Sequence, residues 1–88
     1  MYKYLAEFFG TLIFVYIILA TGNPLAIGAT LALMLLFTHN ISKGYLNPAV
    51  TIVMASAGQI DSHDLVPYCL AQIFGGLTAL EIYKRYQL

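Results

Sequence analysis

Between apolar runs long enough to cross a lipid bilayer lies one that is only half as long. It opens on Asn47-Pro48, continues from Ala49 to Ala57 and meets Gly58. Asn47 can cap a helix, and Pro48 can take its first position, where a missing N–H costs nothing. At the usual rise such a helix is about 15 Å long, half of a hydrocarbon core about 30 Å thick. The fold must therefore hold a half-length helix among full-length ones. It must also satisfy that helix's backbone groups at mid-membrane depth, where irregular backbone survives only inside protein or beside a cavity.

Composition bears out the membrane setting. Of 88 residues, 60% are hydrophobic and 9% charged. A soluble domain carries about 25% charge. Four basic and four acidic residues cancel, so no nucleic-acid partner is expected and the lipid bilayer is the first partner. Cys69 is the single cysteine and excludes an internal disulfide. No Cys/His spacing suits a metal, and no cofactor is expected. No nucleophile–base pair, carboxylate pair or phosphate-binding loop can be assembled, so an enzyme is not expected. His39 and His63 fall in polar stretches and read as interfacial.

The first segment, residues 2–20, is apolar on nearly every face, as spans are. Glu7 is its exception, and an ionisable group there is expected to face protein or water. Gly10 and Thr11 would permit close helix approach. The run is too long for a signal peptide's apolar core, and Thr21-Gly22-Asn23-Pro24 reads as a turn rather than a cleavage site. The second segment, residues 24–40, carries Ala26, Gly28, Ala29 and Ala32, a small-residue stripe suited to packing, with Ile27 beside it, facing either packing or a cavity. The half-helix spans 48–58. The last segment spans 63–84 after a polar run, with Asp61 or Ser62 as its cap and Pro67 near its first turn. Gly75-Gly76 sit at mid-segment, as at membrane helix contacts.

The expected fold is all-α and multi-pass: three transmembrane helices and one re-entrant half-helix in a single 88-residue unit. Lys3 and Lys43 would share one membrane face, Lys84 and Arg85 the other. Positive charge then sets almost no orientation, which permits insertion both ways round. The half-helix N-terminus carries unpaired N–H groups and about half a positive charge. Asn47 could cap with its oxygen and turn its NH₂ donors into a cavity, a device suited to water and other neutral polar solutes. A surface-lying helix or an ordinary turn remains the alternative at this point.

Asn47-Pro48-Ala49-Val50-Thr51 resembles the first Asn-Pro-Ala box of the aquaporin, or major intrinsic protein, family. Ala6-Glu7-Phe8-Phe9-Gly10-Thr11 resembles the family's first-helix signature. Leu25 to Thr51, with Ile41-Ser42 and Gly44, is similar to its second helix and first re-entrant loop. Tyr68, Ala71-Gln72 and Gly75-Gly76 resemble its third helix. The resemblance implies a right-handed bundle that conducts water, glycerol or similar small neutral solutes. It implies that Asn47 is the central pore donor, that Gly44, Tyr45 and Leu46 offer pore-lining carbonyls, and that Ile27 sits at the narrow filter. It makes Glu7, Pro48, Ala49 and Gln72 supports of the pore loop. Family members have two inverted repeats, and this sequence matches one. The second box and the filter arginine after it are absent, Lys43 stands where a small residue is usual, and Tyr45 where histidine is common. Completion would need an oppositely inserted copy, making a homo-oligomer, or a separate complementary repeat. In an antiparallel pair Val50 would occupy the arginine's place. A second reading also stands: a repurposed repeat serving as a structural membrane protein or assembly subunit without transport.

Overall fold

The computed structural model describes residues 2–86. Four helices follow in order: α1 (Tyr2–Thr21), α2 (Pro24–Ser42), α3 (Pro48–Ser56) and α4 (Ser62–Arg85). Their 20, 19 and 24 residues make α1, α2 and α4 long and apolar enough to cross a membrane. With nine residues, α3 is about 13 Å long and reaches only halfway.

α1 lies at the centre of an open layer. It packs on α2 at one side and on α4 at the other, and among the described residues α3 packs on α4 and on no other helix. The order across the layer is α2, α1, α4, α3, so α3 forms an edge. Lys43 Nζ donates to the Gln59 carbonyl at 2.7 Å, which ties the loop before α3 to the turn after it. Lys3 Nζ meets Asp64 Oδ2 at 2.8 Å, and Tyr4 donates to Asp64 Oδ1 at 2.6 Å. The start of α1, the end of α2 and both ends of the α3 excursion therefore share one face. The end of α1, the start of α2 and the end of α4 share the other.

Helix ends follow local chemistry. Asn23 Oδ1 accepts from the N–H groups of Leu25 and Ala26 at 2.9 and 3.1 Å, starting α2 at Pro24. α2 runs to Ser42, two residues past the expected end. His39 and Asn40 look like a loop in sequence, but Ser42 is drawn inward by Glu7 at 2.6 Å, and Lys43 closes the helix in a left-handed conformation. α3 stops at Ser56, short of the expected 58. There Gln59 N–H bonds Met54 O and Gly58 N–H bonds Ala55 O, the paired bonds of a Schellman turn, with Gly58 at φ +76°. Asp61 holds the cap position of α4 without a side-chain cap bond. Its neighbour Asp64 turns to Lys3 and Tyr4 instead. Pro67 is the sixth residue of α4, beyond the free first turn, so it leaves the His63 carbonyl without its helical donor.

The small residues that permit close packing lie on α1 and α4, not on α2. A methyl on Gly75 would overlap the Phe8 carbonyl oxygen and stand 3.4 Å from the Leu12 nitrogen. A methyl on Gly10 would stand 2.7 Å from Leu46 Cδ2 and 3.5 Å from Thr38 Cγ2. On α2, by contrast, Met34 and Thr38 are buried while Gly28, Ala29 and Ala32 are exposed. The expected packing stripe thus faces away from α1, because Gly10 supplies the space into which the larger Thr38 fits.

Gly75→Val is expected to destabilise the protein by about 1–3 kcal/mol or more through overpacking against α1 backbone. Gly28→Ala, with nothing within 4 Å of the added methyl, is expected to be neutral or stabilising by up to about 1 kcal/mol. Unfolding of the detergent-solubilised variants by dodecyl sulfate checks both.

Candidate functional site

Glu7 is fully buried, and its carboxylate is the hub of the loop before α3. Oε2 accepts from Ser42 Oγ at 2.6 Å and from the Tyr45 N–H at 3.2 Å. Oε1 accepts from the Leu46 N–H at 2.8 Å and from Gln72 Nε2 at 2.6 Å. Four donors from α2, the loop and α4 converge on one side chain of α1. An ionised carboxylate accepts at about four positions and donates none, so the match is complete.

The network continues to α3. Gln72 Nε2 also donates to Thr51 Oγ1 at 2.8 Å. The Thr51 hydroxyl has one proton and two acceptors in reach, the Asn47 carbonyl at 2.9 Å and Gln72 Oε1 at 3.0 Å. Tyr68 donates to the Ser42 carbonyl at 2.9 Å. Tyr68 also packs between Tyr4 and Tyr45, with ring centroids 5.9 and 6.0 Å away. Ser42, Thr51 and Tyr68 carry roles that sequence reasoning did not assign. Thr51 had a signal: it is a lone hydroxyl between Val50 and Ile52.

Loop geometry follows from these bonds. Lys43, Gly44 and Leu46 take left-handed conformations, with φ of +73°, +67° and +54°. Such values let successive N–H groups point to one anion. For Leu46 the conformation costs about 1–2 kcal/mol, offset by its bond to a charged acceptor and by burial against Gly10. At Gly44 any side chain would also meet Thr38 Oγ1 at 2.7 Å.

The peptide bonds are trans among the described residues. In a trans peptide the C=O points opposite to the N–H of the same plane. The Tyr45 and Leu46 N–H groups face Glu7, so the Gly44 and Tyr45 carbonyls face away from it. No donor meets these carbonyls, or that of Leu46, among the described residues. The side chains of Tyr45 and Leu46 turn inward and are buried. The buried Tyr45 hydroxyl and Thr11 Oγ1 have no hydrogen-bond partner among the described residues.

Asn47 caps α3. Its Oδ1 accepts from the Ala49 N–H at 2.7 Å, and its carbonyl receives the Thr51 N–H at 2.9 Å. Pro48 has no N–H to place. The Asn47 NH₂ and the Val50 N–H meet no acceptor among the described residues, so free donors stand at the dipole's positive end, next to free carbonyls. Asn47, Pro48, Leu46, Thr11, Phe14, Gly76 and Leu77 line a mostly apolar groove of about 370 Å³.

The structure thus brings together Glu7, Gly44, Tyr45, Leu46, Asn47, Pro48, Ala49, Val50 and Gln72. It does not bring Ile27 to them within one chain. Ile27 is half-buried near the other end of α2, which packs on α1 and not on α3.

The family model described as major intrinsic protein matches residues 1–87. The glycerol uptake facilitator protein-like 6 of Lactiplantibacillus plantarum is 38% identical over 95 residues, covering 98% of this chain and 44% of that protein. An aquaporin Z of Brucella melitensis is 37% identical over 95 residues, covering 91% and 42%. The chain spans less than half the length of these curated relatives. No solved structure matches it at a significant level.

Glu7→Gln is expected to destabilise the loop by about 1.5–3 kcal/mol. It replaces a charged acceptor, and its NH₂ must face donors. The readout is faster proteolysis within 43–47 and an earlier dodecyl sulfate unfolding midpoint than wild type.

Proposed function

The chain belongs to the major intrinsic protein family, and from that premise we propose that it forms one half of a channel for water or small neutral solutes. The family relationship is to channels rather than enzymes, and the chain is an integral, multi-pass membrane protein. The observation that carries the proposal is the pairing of free donors with free acceptors at the start of α3. The Asn47 NH₂ and Val50 N–H can donate, and the Gly44 and Tyr45 carbonyls can accept. A hydroxyl-bearing solute needs both kinds of partner, as water does. A fixed positive pole of about half a charge opposes cations. At about 5 Å and an effective dielectric near 20 it costs a monovalent cation about 2 kcal/mol.

One chain supplies one wall. Among the described residues α3 packs on α4 and on neither α1 nor α2. In this reading the wall is completed by a second repeat, which would also bring a filter position of the Ile27 type toward Val50. Val50 places no charge beside the cap, and Ile27 in place of an aromatic or histidine would make the constriction wider and more apolar.

Reconstituted in liposomes, the protein is expected to raise osmotic shrinkage above that of empty vesicles. Asn47→Leu is expected to lower the flux about tenfold, as loss of one hydrogen bond of about 1.4 kcal/mol would. Asn47→Asp is expected to admit cations that the wild type excludes. Wild-type shrinkage equal to that of empty liposomes would refute the channel reading.

A further inference from the structure

We propose that a second groove, between α1 and α2, seats an acyl chain of a membrane phospholipid from the leaflet on the Lys3 and Lys43 side, a binding site independent of the channel reading. The groove measures about 870 Å³. It lies on the face of α1 opposite the one that borders Asn47. Phe9 and Ile13 line it, whereas Thr11 and Val15 line the groove beside Asn47. At about 100° per residue the two pairs stand about half a turn apart.

The lining suits hydrocarbon and not the solutes of the proposed channel. Buried Gly10, Met34 and Thr38 make the floor. The hydroxyl among them is already engaged: Thr38 Oγ1 donates to the Met34 carbonyl at 2.7 Å. Water or a polyol would find no free donor there, and apolar cavities of this kind stay dry. A hydrocarbon chain needs none, and the flexible Met34 side chain can adapt to its path.

Length separates a lipid from a protein partner. From Tyr2 to Ile13 the groove follows α1 for about 16 Å, and the hydrocarbon of a single leaflet is about 15 Å deep. On α2 it ends at Met34, so it stops near mid-membrane. A spanning helix docked along this pair would follow it for about 30 Å and would call for small residues at the seam. Here the rims are bulky, with Phe9 and Phe37 both exposed. The exposed small residues of α2, Gly28, Ala29 and Ala32, lie beyond the groove's end.

The mouth suits a head group. Tyr2 begins α1 and Asn40 lies in the last turn of α2, both exposed at the same membrane face. A phenol and a carboxamide are interfacial groups that can donate to phosphate or ester oxygens. Neither is charged. The nearby cations are engaged elsewhere, Lys3 with Asp64 at 2.8 Å and Lys43 with the Gln59 carbonyl at 2.7 Å. The site therefore recognises the chain and the glycerophosphate, and not the net charge of the head group.

Native mass spectrometry of the delipidated protein in detergent reads occupancy. Titration with phosphatidylcholine is expected to leave a single phospholipid on each chain, and phosphatidylglycerol to bind with the same affinity. Ala6 lines the groove one turn before Gly10. Ala6→Phe fills that space and is expected to weaken retention about tenfold, the worth of about two buried methylenes. Leu36→Ala, on a face of α2 outside the groove, is expected to change nothing. A second measurement does not need Ala6→Phe to fold. The chain has no tryptophan, so Phe9→Trp and Leu36→Trp each report a single position. With chain-brominated phosphatidylcholine supplied equimolar to the protein in detergent, Phe9→Trp is expected to be quenched and Leu36→Trp not. Absence of a retained phospholipid, retention that a folded Ala6→Phe leaves unchanged, or preference for phosphatidylglycerol would overturn the site. Equal quenching of the two tryptophans would also overturn it, and a Phe9→Trp that no lipid reaches would place protein, a further copy or another segment, in the groove.

Discussion

The structure depends on a single buried carboxylate. Glu7 sits on α1, the one helix that touches both α2 and α4. Its four bonds reach the end of α2, two consecutive loop amides and, through Gln72, the first turn of α3. Without it, two backbone N–H groups would be buried with no acceptor, each at a cost of about 1–3 kcal/mol. With it, an irregular backbone is tolerable in the interior of a helical membrane protein. The same bonds decide the face on which the carbonyls emerge. A planar peptide that aims its N–H at Glu7 has no choice but to aim its C=O elsewhere. The candidate site is in this sense the reverse side of a structural bond.

Packing serves that hub. Gly75 brings α4 against the backbone of α1 one residue after Glu7, near enough for the short reach of Gln72. Gly10 gives Leu46 its place, which secures a left-handed leucine that would otherwise be strained. Lys43 ties the loop to the turn after α3 from outside. Small residues are used where backbones must meet, which suits a solvent that offers no hydrophobic drive between helices.

Much of this was legible in the chain. Apolar run lengths marked the spans, and Asn47-Pro48 marked the short helix, because both signals are local. Glu7, Gln72 and the loop were assigned together through resemblance, since no periodicity links residues 65 apart. What escaped was of a different kind. Ser42 and Thr51 act through tertiary bonds that sequence spacing does not encode. The small stripe of α2 misled because compactness of side chain tells where a helix can approach, not where it does. The resemblance assigns Ile27 to the narrow filter, and within one chain the order of helices in the layer keeps it apart from the loop.

The partners of Glu7 lie 35 to 65 residues after it in sequence. During synthesis α1 therefore emerges from the ribosome before any of them. An ionisable residue within a lone span costs a few kcal/mol, and this one stays uncompensated until α2 and the loop arrive. Gln72 and the closure against α4 come later still. The helix that organises this fold is thus settled late in biogenesis, once α4 has emerged and Gln72 has reached Glu7.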